Sequence, residues 1–255
     1  MIAFVVGAFF AAAISLGAYR ARALSLDGAF AAFAVGTIVF GCAQWKGAAV
    51  LFAFFLPSVL LTRVGRERKK LLRNTEGPVP RNGRQVLANG GVAAACAIAA
   101  VRFGAPFPAA FAGAFAAASA DTWGTEIGTL ARLRPVSILT FRPVETGISG
   151  GVTLQGSIAT IAGALCVALV ASLVRVAPLL PITFGGLAGA LIDSLLGASL
   201  QALRWCPSCR CECETLRHEC GTATTMHRGI TWLQNDAVNL CATLCGALVA
   251  AFAAQ

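Results

Sequence analysis

Long apolar runs, broken only by short polar loops, decide which solvent this chain folds in. Candidate spanning segments lie at about residues 1–19, 28–45, 47–62, 88–103, 105–120, 150–175, 181–200 and 237–254. A helix crossing the hydrocarbon core needs roughly 20 mostly apolar residues, because no water satisfies its backbone there. Some runs are short or hold Pro57, Pro106 or Pro108, so their ends are approximate. Composition agrees, with 57% hydrophobic and 12% charged residues, against about 25% charged in soluble domains. So few charges do not cover a water-facing surface, and runs this apolar exclude disorder. The expected fold is all-α: a polytopic membrane protein of about eight transmembrane helices, one domain over 1–255. Small-residue stretches such as 31–36 and 185–190 let helices approach closely. The first run has neither a basic lead nor an obvious cleavage site, so a retained helix is expected there.

A net charge of +9 would point to nucleic acid in a soluble protein. Threading eight spans sorts the charges by side instead. Arg20 and Arg22 follow the first span; Arg63, Arg66, Arg68, Lys69, Lys70, Arg73, Arg81 and Arg84 follow the third. Arg132, Arg134 and Arg142 follow the fifth, and Arg204, Arg210, Arg217 and Arg228 the seventh. Only Lys46, Arg102 and Arg175 fall opposite. By the positive-inside rule the rich side is cytoplasmic, or stromal in a plastid membrane, and both termini face away from it. The excess is a topology signal, and no nucleic-acid partner is expected. Arg63 to Arg73 are expected to hold anionic membrane lipid headgroups.

Against that background the acidic residues stand out. Asp occurs at 27, 121, 193 and 236 alone, and the last three lie at or within the cytoplasmic ends of apolar segments. A carboxylate in hydrocarbon costs several kcal/mol, so it is usually paired and usually functional. The bland alternative is a helix cap or a structural pair with an Arg. Thr122 and Glu126 share a helical face, as do Asp193 and Gly197, and Asp236 and Asn239. Asp121 and Glu126 would converge only if Gly124 bends the chain. Gly197 leaves room beside Asp193 for a ligand or another segment. Carboxylate and carboxamide oxygens suit a hard cation such as Mg²⁺, with phosphate oxygens completing its shell. Two Gly-rich stretches lie on the same side: Asn82 to Gly91, with Arg84, Gln85 and Asn89, and Thr146 to Ser157, with Gly150, Gly151 and Thr153. Glycine at a helix N-terminus frees backbone amides for phosphate, although neither stretch is a P-loop. Helix packing is the competing reading for both.

Of ten cysteines, Cys42, Cys96, Cys166, Cys241 and Cys245 sit in apolar spans as small hydrophobes. The others crowd into a cytoplasmic Cys/His loop at 201–234, inserted before the last helix. Cys206-x2-Cys209 followed by His218-x-Cys220 is a Cys₃His set suited to a structural Zn²⁺. Cys211 and Cys213 are possible substitutes, and dithiol redox sensing is the competitor. A closed four-ligand zinc would brace the loop leading into Asp236.

These pieces together resemble a known integral membrane family. It includes the plant chloroplast phytyl-phosphate kinase of the tocopherol pathway and bacterial and archaeal homologues of unassigned function. The resemblance rests on 84–91 (Arg-Gln-Val-Leu-Ala-Asn-Gly-Gly), 118–128 around Asp121, 149–153, 193–198 and 235–239. The Cys206–Cys209 and His218–Gly221 pieces resemble a subset of bacterial members. The resemblance implies a membrane-embedded transferase, a kinase using a nucleoside triphosphate to phosphorylate an isoprenyl, phytyl-like monophosphate to the diphosphate. In that scheme Asp121, Asp193 and Asp236, with Glu126, would form the catalytic set and hold Mg²⁺ on the nucleotide. Arg84, Asn89, Gly150, Gly151, Thr153, Asn235 and Asn239 would bind substrate and nucleotide. Partners would be the isoprenyl lipid phosphate and the nucleotide. Three rivals remain: an ion-coupled transporter, with carboxylates near the midplane; a lipid-phosphate cytidylyltransferase-like enzyme; and a scaffold that binds partners through the zinc loop.

Overall fold

A computed structural model describes residues 2–73 and 80–255, except for the side chains of residues 70–73. The side chains of Lys70 and Arg73, part of the basic run, therefore lie outside the described residues. The elements are α1 (Ile2–Arg20), α2 (Leu26–Arg63), α3 (Arg66–Arg73), α4 (Gly83–Phe103), α5 (Phe107–Gly128), β1 (Val136–Ser137) and β2 (Gly151–Val152). They continue with α6 (Leu154–Leu173), α7 (Leu179–Ser199), β3 (Leu203–Cys206), β4 (Cys211–Cys213), β5 (Thr225–Arg228) and α8 (Asn235–Ala253).

Six of the described helices, α1, α2, α4, α6, α7 and α8, are long and apolar enough to cross a membrane. The α2 segment has 38 residues; straight, it would reach about 57 Å, nearly twice the hydrocarbon core. It is broken instead at Gln44, whose φ of 52° and ψ of −147° are not helical. The two ends of α2 lie at the same end of the bundle. Asp27 accepts a hydrogen bond from the Gly83 amide, and Thr62 meets Glu126, which interacts electrostatically with Arg81 two residues from Gly83. The spans expected at 28–45 and 47–62 are thus two arms turning at one residue. With α5 they bring the passes to eight.

Helix α5 is the axis. Every residue from Ala109 to Ala120 is buried, and α2, α4, α6, α7 and α8 all pack on it. A helix that sees only protein needs small residues rather than bulk, which is why α5 is mostly Ala, Gly and Phe. Gly113, Gly185 and Gly246 bring three backbones together: a Cβ on Gly113 or Gly185 would stand 2.6 or 2.4 Å from the Gly246 carbonyl oxygen. Many large apolar side chains point outward, Phe9, Leu173 and Phe252 being 73%, 79% and 80% exposed. Lipid accepts that surface; water would not. One buried polar tie crosses the packing, from Thr243 Oγ1 to the Ala88 carbonyl at 2.9 Å.

The polar segments gather at one end. There the α1–α2 loop holds residue 81 by its backbone: Arg81 N donates to Ala23 O, and Ser25 N to Arg81 O, each at 3.0 Å. Asp27, accepting the Gly83 amide at 2.7 Å, caps α4, so the fourth Asp has a structural task. Residues 200–234 fold into a three-stranded antiparallel sheet of order β4-β3-β5. Strands β1 and β2 pair antiparallel in a separate two-stranded sheet, Val136 opposite Val152 and Ser137 opposite Gly151, and the other named elements are helices.

Candidate functional site

A cavity of about 390 Å³ opens at the polar end of the bundle. Two helices arrive with their C-terminal turns. Helix α5 runs eight residues beyond its expected end at 120 and supplies Asp121, Thr122, Thr125 and Glu126; α7 supplies Asp193 and Ser194. Three helices leave from the cavity with their N-termini at it. Asn82 caps α4, accepting the Gln85 amide at 3.0 Å while Gln85 Oε1 accepts the Asn82 amide at 3.1 Å. Thr153 caps α6, its hydroxyl accepting the Gly156 amide at 3.0 Å. Asn235 begins α8. Three positive dipole ends thus meet a cluster of carboxylates, which suits an anion held beside a cation.

The Asp121 and Asp193 carboxyl groups hydrogen-bond each other, and Thr125 also bonds to Asp121. Two carboxyl groups in contact either share a proton, leaving one charge, or stay ionised with a cation between them. Asp193 Oδ2 is buried and has no partner. An orphan carboxylate oxygen next to a second carboxylate fits Mg²⁺, which is commonly held by one or two carboxylates plus substrate phosphates.

Most of the expected site residues line this cavity: Asp121, Asp193, Glu126, Asn89, Gly150, Gly151, Thr153, Asn235 and Asn239. Asp236 and Arg84 do not. On α8, Asn235 and Asn239 are one turn apart and line the cavity, while Asp236, about 100° round the helix from Asn235 and about 60° from Asn239, does not. Its charge faces Arg84 instead. On α4, Gln85 and Asn89 take the cavity face, and Arg84 is rotated off it and exposed. The arginine that lines the cavity is Arg81, beside Asp121 and Glu126. Burial lowers its pKa, and the two acidic charges offset only part of that. Arg81 precedes the Asn82 cap of α4 and is held by the α1–α2 loop rather than by the helix, so helical spacing does not place it.

Other expectations change in detail. Helix α5 reaches Glu126 without a bend at Gly124, because the cavity wraps around its last two turns. Gly124 instead lets α6 approach, as a Cβ there would stand in contact with Thr160 Oγ1 and the Gly156 carbonyl. Gly197 makes room for the Ser149–Gly150 loop. Lys69 leaves the expected headgroup cluster: it is buried, and its Nζ donates to Glu126 at 2.7 Å and to the Leu61 carbonyl at 2.6 Å. The Ser149 amide of the Gly-rich stretch holds a carboxylate of the protein's own, Glu214, at 2.7 Å. Glu214 lines the cavity. Nothing in its sequence context marks it, because only folding of the Cys/His loop brings it there.

Gly150 has a φ of +80°, and a Cβ on it would lie 2.4–2.6 Å from the Ala198 nitrogen and Cα. Gly150→Ala is expected to cost about 1–3 kcal/mol and to lower the thermal midpoint in detergent. Gly151→Ala, whose Cβ would meet its neighbours at 3.0–3.3 Å, should cost less. Equal midpoints for the two variants would contradict this packing.

A second, apolar cavity of about 100 Å³ adjoins the first. Side chains of α1 and both arms of α2 form it, among them Ile14, Val35, Leu51 and Phe54, with Phe115 at its wall. The two cavities share Arg81, Gln85 and Asn89.

Residues 9–247 match the family described as Integral membrane protein DUF92. The chain is 33% identical over 224 residues to Protein PGR of Arabidopsis thaliana, covering 76% of this chain and 77% of that protein. It is 31% identical over 233 residues to an uncharacterized membrane protein of Methanocaldococcus jannaschii, covering 90% and 85% of the two chains. An uncharacterized membrane protein of Synechocystis is 24% identical over 224 residues, covering 86% and 78%. No solved structure matches.

Proposed function

The chain belongs to the integral membrane DUF92 family, and on that premise we propose a membrane-embedded, nucleotide-dependent kinase that extends a long-chain isoprenyl monophosphate to the diphosphate. The observation that carries the reading is the junction of the two cavities. A polar cavity lined by four acidic side chains, Asp121 and Asp193 in contact among them, and by an arginine meets an apolar one at Arg81, Gln85 and Asn89. That pairing matches an amphiphile with a phosphate at one end and a hydrocarbon tail at the other.

Each residue then has a task. Asp121 and Asp193 would hold Mg²⁺, and the ion supplies charge neutralisation on the nucleotide phosphates. Arg81 neutralises the acceptor phosphate, and the N-termini of α4, α6 and α8 direct their dipoles at the anions. An acceptor phosphate oxygen forms the new bond to the γ-phosphorus as the bond to the β–γ bridging oxygen breaks, releasing the nucleoside diphosphate. The acceptor is already ionised, so no side chain needs to take its proton. Glu126, tied to Lys69 and Thr62, is a positioning residue in this scheme. The charge asymmetry supports a cavity that opens to the cytoplasm, or to the stroma in a plastid. Carboxylates gathered at one end favour this reading over an ion-coupled transporter, which needs them near the midplane.

The test is purified protein in detergent or vesicles with phytyl or geranylgeranyl monophosphate, Mg²⁺, and ATP or CTP labelled at the γ or the α position. Isoprenyl diphosphate carrying γ label is expected. Transfer of α label would make it a cytidylyl- or adenylyltransferase, and no transfer with either nucleotide would overturn the kinase.

A further inference from the structure

The Cys/His loop has too little apolar matter to hold its own shape. Its strands are four, three and four residues long, and isolated short hairpins are marginal without an added core. Small units of this kind are commonly completed by a metal.

The side chains supply a place for one. One donor atom each from Cys206, Cys209, His218 and Cys220 lies within 4.8 Å of all the others. Cys206 Sγ and Cys220 Sγ are 3.6 Å apart, and His218 Nδ1 is 3.3 Å from Cys220 Sγ. Tetrahedral zinc with bonds of about 2.3 Å places its sulfur ligands about 3.8 Å apart. The Cys209 amide also donates to Cys206 Sγ at 3.5 Å, so the turn between the first two cysteines is wound round its own ligand. Cys206, Cys209 and Cys220 are free thiols.

The same hairpin reaches the cavity. Strand β4 pairs with β3 from Cys206↔Cys211 to Arg204↔Cys213, and the next residue is Glu214. Its Oε1 accepts the Ser149 amide at 2.7 Å; its Oε2 accepts Ser149 Oγ at 3.1 Å and Gln201 Nε2 at 2.9 Å. Gln201 is buried and also donates to Ser149 Oγ at 2.9 Å. On the far side of the sheet, Arg228 of β5 bonds to the Ala198 carbonyl at the end of α7, the residue against which Gly150 packs. The sheet therefore grips the Ile148–Gly151 wall of the cavity from two sides.

We propose that Cys206, Cys209, His218 and Cys220 bind a structural Zn²⁺ whose occupancy fixes the cavity wall at 146–151 through Glu214. The ion has four protein ligands, so no position is open for substrate. Its effect on the cavity passes through the β3–β4 hairpin and the carboxylate clamp on Ser149. The proposal does not depend on the phosphotransferase reading, and its readouts are metal content and backbone protection rather than turnover.

The test uses the full chain, purified in detergent under reducing conditions. Elemental analysis should find about one zinc per chain, and Co²⁺ exchanged for it should give the visible absorption of tetrahedral cobalt thiolate. The double variant C209S/C220S should lose the metal. Because losing the metal can unfold the loop outright, two milder perturbations keep the coupling testable. Chelation of zinc from the native protein should raise amide exchange over 146–151 by about tenfold while leaving α1 unchanged. Glu214→Gln should raise exchange over the same residues with the zinc still bound. Absence of metal together with failure to take up Zn²⁺ or Co²⁺ overturns the site, as does a Cys206–Cys209 disulfide in protein from a reducing cytoplasm. Metal removal that leaves 146–151 fully protected overturns the coupling.

Discussion

Asp121→Asn in the purified protein is expected to lower kcat for phosphoryl transfer by about 10²–10³-fold, a loss typical of removing one preorganised electrostatic group. The fold should survive. Asn keeps the shape of Asp, and the change removes one of two carboxyl groups that now touch. Relief of like-charge contact predicts a thermal midpoint equal to or above that of the unsubstituted protein when no ligand is present. Adding Mg²⁺ with nucleotide should raise the midpoint of the native protein by mass action and leave that of the variant nearly unmoved. Asp193→Asn should behave alike, since its Oδ2 is the buried oxygen without a partner. If both carboxylates hold one ion, the double variant will lose little more than the worse single one, because residues acting as a unit are not additive. Losses that multiply would assign the two carboxylates separate tasks. A variant with native kcat would remove them from the chemistry altogether.

Legibility from sequence followed the strength of the physical constraint. Eight passes were readable because hydrocarbon leaves the backbone few options. The helix ends were less so. Helix α5 continues to Gly128 through Asp121, Thr122, Thr125 and Glu126, because these polar turns face the polar cavity rather than lipid. Helix α6 begins at Leu154 rather than 150, since Gly150 needs a positive φ and Gly151 pairs as a strand. The turn falls at Gln44, between Gly41 and Gly47 and two residues before the break expected at 46.

The site divides along the same line. Asp121, Asp193, Asn89, Asn235 and Asn239 stand out as polar residues in apolar surroundings, and all of them line the cavity. Arg81 is one of eight cations in one stretch, and the backbone bonds to Ala23 and Ser25 that place it are long-range contacts. Asp236 was drawn in by type and sidedness; its rotation on α8 away from the Asn235 and Asn239 face decides otherwise. Lys69 and Glu214 reach the site through contacts 57 and 65 residues apart in sequence. No local pattern encodes such contacts.

Lys69 carries the second large prediction. Its ion pair with Glu126 is nearly dry, the two side chains being 8% and 12% exposed, with Nζ and Oε2 at 2.7 Å. An exposed pair would be worth little. Here Lys69→Met strands a carboxylate beside Asp121, and breaking a buried pair from one side costs about 3–5 kcal/mol. That is a large fraction of the stability of a typical domain, so a sharp fall in the thermal midpoint or in the yield of folded protein is expected. Adding Glu126→Gln should recover most of the loss, because the stranded charge disappears while the Thr62 hydroxyl keeps an oxygen to bond. The cycle separates two tasks. If Glu126 only anchors α3 to the end of α5, the double variant will regain both stability and turnover. If its charge also serves the cavity, stability will return and turnover will not. A Lys69→Met protein as stable as the native one would show that this pair contributes nothing to holding the two segments together.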